Sequence, residues 1–347
     1  MDWILIVYIS LIFVSLWGRN KKVDYLSVET STNMRGIAAI GIVLHHMSEK
    51  TASGHFFGYL EMTGYLFVAF FFFLSGYGLL VQYQKKKEDY INDFFKKRIL
   101  YIIIIYLLDI VLYSVADFLM GIKYTFWQIF KSIFVSGIAK NSWYITVLIL
   151  FYIVFYVVFK WKAIKTIPQK IICVFAVQVV FVVFCLIIKA ESFWYLSNFG
   201  FTMGMLWAYN KEKIDKWLNN RYFLVLCCLV IITAVLYLIP ILSDRYIQAN
   251  AAFCTRTVFR MISPLALVAI TMLIDFKLKP SLFLWKWLGG ISLEIYLIHG
   301  LVYTFLRSNF VYLESEVLWT TLTVLISIIL AYPINLLNKR ILKLLNH

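Results

Sequence analysis

The chain has 347 residues, of which 62% are hydrophobic and 15% are charged. A soluble domain of this length cannot cover itself with so few polar side chains, so the composition excludes one and defines a polytopic membrane protein. The formal charge of +15 is broken into short clusters between apolar runs, the pattern of positive-inside loops, which leaves no basic stripe for nucleic acid. Five cysteines, Cys173, Cys185, Cys227, Cys228 and Cys254, have no CxxC or histidine-paired spacing. Neither a disulfide framework nor a metal site is expected.

Taken in chain order, runs near the length that crosses ~30 Å of hydrocarbon lie at 3–17, 35–48, 63–83, 99–118, 143–159, 171–188, 193–209, 222–242, 257–274, 287–305 and 317–337. The expected fold is an all-α integral membrane protein, a bundle of about 10 to 11 transmembrane helices. The first run follows Asp2 and lacks a small-x-small cleavage site, so it is read as an uncleaved anchor. The stretch 124–138, interrupted by Lys131, reads as an interfacial amphipathic helix. With eleven crossings, alternate loops hold 23 Lys and Arg on one side and 8 on the other. That bias puts the N-terminus outside and the C-terminus in the cytoplasm of a multi-pass plasma-membrane protein. No internal repeat, Pro/Gly/Ser linker or long hydrophilic gap leaves room for a soluble domain.

The second run, "TNMRGIAAIGIVLHHM", opens on Arg35 and closes on His45 and His46. Eleven residues on a helix put His46 ~16 Å beyond Arg35 and only ~20° round from it, with His45 turned by ~80°. Ionisable residues inside spans cost ~2.5 kcal/mol or more and mark function by default. Snorkelling of the arginine and an inter-helix hydrogen bond from the histidine are the structural alternatives.

The string RGIAAIGIVLHH resembles the arginine, ten residues, histidine signature of membrane acyltransferase family 3, whose members acylate surface glycans. Arg35 and His46 are the matching pair. "FVAFFFFLSGYGLL" (67–80), "NSWYITVLILFY" (141–152) and "LGGISLEIYLIHG" (288–300) are similar to the family's aromatic Ser-Gly, Trp-aromatic and late Gly-Ser-Tyr-His spans, in the same order. The chain departs from the pattern at Thr32, where an acidic residue often stands three before the arginine. It departs again after Arg98, where Tyr101 and Ile104 replace a second arginine and a proline. The resemblance implies a ten-helix core, so residues 1–29 are read as an N-terminal anchor helix with a cytoplasmic loop and 30–347 as the acyltransferase domain.

It also implies transfer of an acyl group, foremost acetyl, from cytoplasmic acyl-CoA as co-substrate to a hydroxyl of a cell-envelope carbohydrate or lipid-linked glycan, with no bound cofactor. The hydroxyl must lose its proton as it attacks, a task for a neutral histidine. His46 is the expected base. Arginine stays charged and grips phosphates bidentately, so Arg35 and Arg98 are the expected CoA ligands, with the thioester threading to mid-bilayer. Candidate contacts to substrate or to the base are His45, Ser75, Trp143, Glu294, Tyr296 and His299. Ser292 and His299 share a helix face, ~20° apart, with His299 at about the depth of His46. Glu294 is expected to pair with Arg98 or Arg35, and Asp109 to bind the bundle together. Gly200 and Gly204, and Gly76 after Ser75, read as close helix approaches. The rival reading is a glycan or lipid-linked sugar transporter or flippase, which predicts related halves with matching broken helices. No such halves are seen in the sequence.

Overall fold

The computed structural model describes residues 1–17, 23–134, 137–246 and 249–346. Arg19, Lys21 and Lys22 of the first loop, and residues 135 and 136 of the 124–138 stretch, lie outside these. Among the described residues the fold is helical without a strand. The helices are α1 (Asp2–Trp17), α2 (Val28–Ser48), α3 (Gly64–Phe94), α4 (Tyr101–Leu119), α5 (Phe126–Ser132), α6 (Trp143–Lys160), α7 (Ile167–Ile187), α8 (Phe199–Tyr246), α9 (Ala249–Leu278), α10 (Phe283–Gly290), α11 (Ser292–Phe305) and α12 (Glu316–Asn346).

Among the described residues six helical stretches are long and apolar enough to cross a membrane, and α10 with α11, bent by 75° at their junction, makes a seventh. Two of the six, Gly64–Leu119 and Ser192–Pro240, run to 56 and 49 residues, far more than the ~20 that one crossing needs. Each is broken inside, at Lys87 (φ 48°) and at Arg221 (φ −134°). These two stretches therefore hold two apolar runs each, and the seven together hold nine of the eleven. The remaining runs are α1, short at 16 residues, and α2, which carries Arg35, His45 and His46. α5 starts with a capping box between Thr125 and Gln128 and leaves Phe126 and Trp127 exposed, as an interfacial helix requires.

α2 positions the site and begins seven residues before Arg35. Its polar first turns stay helical because Ser27 caps the Thr30 amide at 3.2 Å. Ser31, Thr32 and Asn33 also donate to carbonyls four residues back, at 2.8, 2.6 and 3.0 Å. The rest of α2 joins two cores. Met34, Ala38 and Ile42 face a large aromatic cluster built around Phe72, Phe73, Phe151 and Phe155. Ala39, Val43 and Met47 face a second cluster around Trp285 and Ile295. Spacing by four on each set is the helical period.

Glycines let these helices meet at backbone distance. A Cβ on Gly36 would fall on the Trp285 carbonyl oxygen, and one on Gly289 on that of Thr32, so α2 and α10 touch beside Arg35. Gly200 and Gly204 press in the same way on Ala69 and Phe73 of α3, and Gly76 presses on Phe201 of α8. The close approaches read from the sequence are present.

Candidate functional site

The two ends of α2 carry two different polar assemblies. At the Arg35 end, a cavity of about 1050 Å³ is lined by five basic side chains, Arg35, Lys85, Arg98, Lys211 and Lys213, and by two acidic ones, Asp24 and Glu212. Lys211 takes the Asp24 and Asp215 carboxylates, both at 2.7 Å. Arg35 donates only to the Ser31 carbonyl (3.3 Å) and the Thr32 hydroxyl (3.1 Å). Among the described residues neither Arg35 nor Arg98 forms an ion pair with a carboxylate. Arg98 sits in a π-helical turn, Phe95–Leu100, a distortion frequent at functional sites. Tyr152 faces both guanidinium groups, and Ser75 lies against the hydroxyls of Tyr152 and Tyr144. Arg35 is half-buried and Arg98 exposed, so both charges are open to an anion that enters the cavity.

At the other end, His46 and His299 stack with ring centroids 5.2 Å apart. His46 Nδ1 lies 2.9 Å from Glu49 Oε2. A carboxylate only accepts, so Nδ1 carries the hydrogen and the Nε2 lone pair is left free. His45 Nδ1 donates to the Leu60 carbonyl at 2.9 Å, and its Nε2 stands 3.4 Å from Glu49 Oε1. Both histidines thus converge on one carboxylate. Burial pushes the Glu49 carboxyl up, but the His46 hydrogen bond and the two neighbouring imidazoles pull it down by more, so it titrates below its ordinary value.

His299 is fully buried. Its Nδ1 donates to the Tyr296 carbonyl at 2.6 Å, and its Nε2 faces the Asn141 amide nitrogen at 3.4 Å. Asn141 has a left-handed backbone (φ 64°), tolerated by asparagine, and its carbonyl accepts the Tyr296 hydroxyl. His45, His46, Glu49, Asn141 and Tyr296 line, with Trp143 and Phe193, a second cavity of about 250 Å³. The nitrogens and oxygens of His45, His46 and Glu49 lie within 4.8 Å of one another, a spacing that a cation would accept. Each Glu49 oxygen already faces an imidazole nitrogen.

A thin aromatic wall divides the two cavities. Phe71 lines the first and Tyr296 the second. Tyr144 stands between them, with centroids 6.1 Å from Phe71 and 5.4 Å from Tyr296.

The structure brings Arg35, Arg98 and Ser75 to one cavity and His45, His46, Trp143 and Tyr296 to the other, with His299 stacked on His46 but outside the cavity lining. One expectation is corrected. Glu294 meets neither arginine: its Oε1 accepts from Asn335 and Asn338 at 3.0 and 2.8 Å, because α11 packs along α12. α2 starts at Val28, so His46 lies in its last turn, ~27 Å from the first residue of the helix. Asp109 is buried with Oδ2 unpartnered among the described residues, so it supplies no inter-helix bond through that oxygen. Sequence reasoning missed Glu49, Asn141, Tyr144 and Tyr152. Glu49 stands three and four residues after the histidines, and the other three lie in the quoted 141–152 span, where only Trp143 was singled out.

A helical membrane bundle with an arginine cavity at one end of a helix and a histidine–carboxylate pair at the other defines the class of protein. The profile of acyltransferase family 3, described as an acyltransferase domain, matches residues 30–336, and the chain belongs to that family of membrane acyltransferases. No curated protein matches it, and no solved structure does.

Proposed function

We propose that the protein carries an acyl group, foremost acetyl, from acyl-CoA bound at the Arg35 end to a hydroxyl of a cell-envelope glycan bound at the His46 end. The observation that carries this reading is the pair of arginines without carboxylate partners sharing one large basic cavity, at the opposite end of α2 from a histidine fixed by Glu49. The loop charge bias assigns the Arg35 end to the cytoplasm, where CoA is made. Arg35 and Arg98 hold its phosphates as charge-assisted, bidentate donors, and the pantetheine arm runs along α2 toward His46.

The acceptor hydroxyl gives its proton to His46 Nε2 as its oxygen attacks the thioester carbonyl. The carbon–sulfur bond then breaks, and the departing sulfur takes that proton back, so ester and CoA thiol leave with charge balanced. Glu49 steadies the transient imidazolium and fixes the tautomer, the role of the third member in nucleophile–base–carboxylate arrays. His299 and Asn141 hold the His46 ring from behind. Phe71 and Tyr144 must turn aside for the thioester to reach Nε2. The outer cavity, about 250 Å³, is near the small end of ligand pockets, ~300 Å³, which suits one sugar of a longer chain.

The test is mass and NMR analysis of surface glycans from a deletion strain complemented with wild type, Arg35→Ala or His46→Ala at equal membrane levels. Wild type should restore an acyl mass and both variants should fail. Full restoration by His46→Ala removes the base, and loss of glycan export without loss of acylation replaces the enzyme with a transporter.

A further inference from the structure

At the His46 end, three carboxylates and two lysines lie close together without pairing with each other. Glu49 is turned to the two histidines, Asp117 accepts the Tyr124 hydroxyl at 2.7 Å, and Glu316 accepts the Ala52 and Ser53 amides at 3.0 and 2.9 Å. Lys50 and Lys140 form no ion pair among the described residues. Both ammonium groups instead approach one ring, Tyr303, at 5.0 and 5.8 Å from its centroid. Lys140 is held only by the Thr304 hydroxyl, at 2.8 Å.

A single cation on an exposed aromatic face gains ~0.5–1 kcal/mol. Two near one ring repel each other, and among the described residues no carboxylate closes an ion pair with either. Burial presses the Lys140 ammonium below its ordinary value, Asp117 counters, and Lys50 adds to the depression. The cluster adjoins the reacting end directly: the Tyr303 hydroxyl accepts from Asn141 at 3.4 Å, and Asn141 faces His299 at the same distance. Lys50 and Lys140 follow and precede Glu49 and Asn141 in the chain, and both of those line the outer cavity.

We infer that Lys50, Lys140 and Tyr303 form an anion subsite for the acceptor, so that the glycan acylated at His46 carries a carboxylate or phosphate on, or next to, the acylated sugar. The inference rests on the acyl-transfer reading of the site and deepens it. A glycan anion between the two ammonium groups removes their repulsion.

The experiment uses the full chain in phosphatidylcholine nanodiscs, with fluorescent pentagalacturonate, a phosphorylated maltopentaose and plain maltopentaose as probes. At low salt at least one charged probe should bind well ahead of the neutral one, and added salt should weaken it. Lys50→Gln with Lys140→Gln should cut charged-probe affinity by about tenfold or more, the scale of a lost hydrogen bond to a charged group, and leave the neutral probe unchanged. The inference is overturned if neither charged probe binds, if the neutral probe binds as tightly, or if the double variant binds a charged probe like wild type. A lysine-dependent retention of phosphatidylglycerol, with no lysine-dependent probe binding, makes the pair a lipid contact and also overturns it. Glycan acylation by His46→Ala is scored separately: activity there removes the acyl-transfer reading itself, whereas unchanged probe binding by the lysine variants removes only the anion subsite.

Discussion

Replacing Glu49 by Gln tests the reacting end most directly. The carboxylate is 38% exposed and lies just beyond the last residue of α2, so the change should leave the fold intact. What it removes is one charge-assisted bond to His46 Nδ1 at 2.9 Å. Such bonds are worth ~1.5–3 kcal/mol, and at ~1.4 kcal/mol per decade the turnover rate should fall by about 10- to 150-fold. Loss of the base itself in His46→Ala should cost ~10²–10⁴. In the double variant Glu49→Gln adds almost nothing, because the two residues act as one unit. The assay is thiol release from acetyl-CoA by the purified protein with host glycan as acceptor, with kcat and KM for acetyl-CoA measured separately. An unchanged kcat in Glu49→Gln, or a full further loss when it is added to His46→Ala, would refute the orienting role.

Three further outcomes follow from other contacts. Gly204→Ala should cost about 1–3 kcal/mol by overpacking, since its Cβ would land on the Phe73 carbonyl. Gly78→Ala, with nothing within 4 Å of its new Cβ, should be neutral or slightly stabilising, and equal melting temperatures for the two in detergent would contradict this packing. Asn338→Leu takes a 2.8 Å donor from buried Glu294 and should destabilise by about 1–3 kcal/mol or more. Glu294→Gln in that background should recover part of the loss, and no recovery would mean the cost arises elsewhere. The Glu49 carboxyl titrates below its ordinary 4.5 when folded, so the unfolded chain binds its proton first and stability rises with pH across that range. The melting-temperature gap between wild type and Glu49→Gln should hold steady above pH 4.5 and close as pH falls through the lowered value. A gap that widens on acidification would reverse the sign.

The apolar runs fall largely on helices, the run 287–305 on two that meet at a 75° bend, because hydrophobic length is a local property that the bilayer reads directly. The shared face of Arg35 and His46 was likewise set by eleven residues of helical rotation. What stayed hidden came from beyond the apolar pattern. Residues 28–34 look like loop by polarity, yet hydroxyl and amide side chains bonded to the turn before keep them helical, which puts His46 in the last turn of a longer helix. Glu49 sits one residue past the helix and was counted with the loop. Asn141 gains its place from a left-handed turn and from contact with a segment about 160 residues away, which no periodicity records. Glu294 has an amide partner on each of two turns of α12, and its expected arginines line the first cavity instead.

The wall of Phe71 and Tyr144 bears on the cell that carries this protein as much as on the reaction. A passage open at both ends, lined with arginine, tyrosine and histidine, would conduct ions, and each charge slipping through dissipates ~2.3 kcal/mol per 100 mV. If the two cavities serve the transfer proposed above, only the few atoms of an acyl group need pass the wall, so covalent traffic would cross the membrane with its electrical insulation intact and the bulky carrier would stay in the compartment that recharges it.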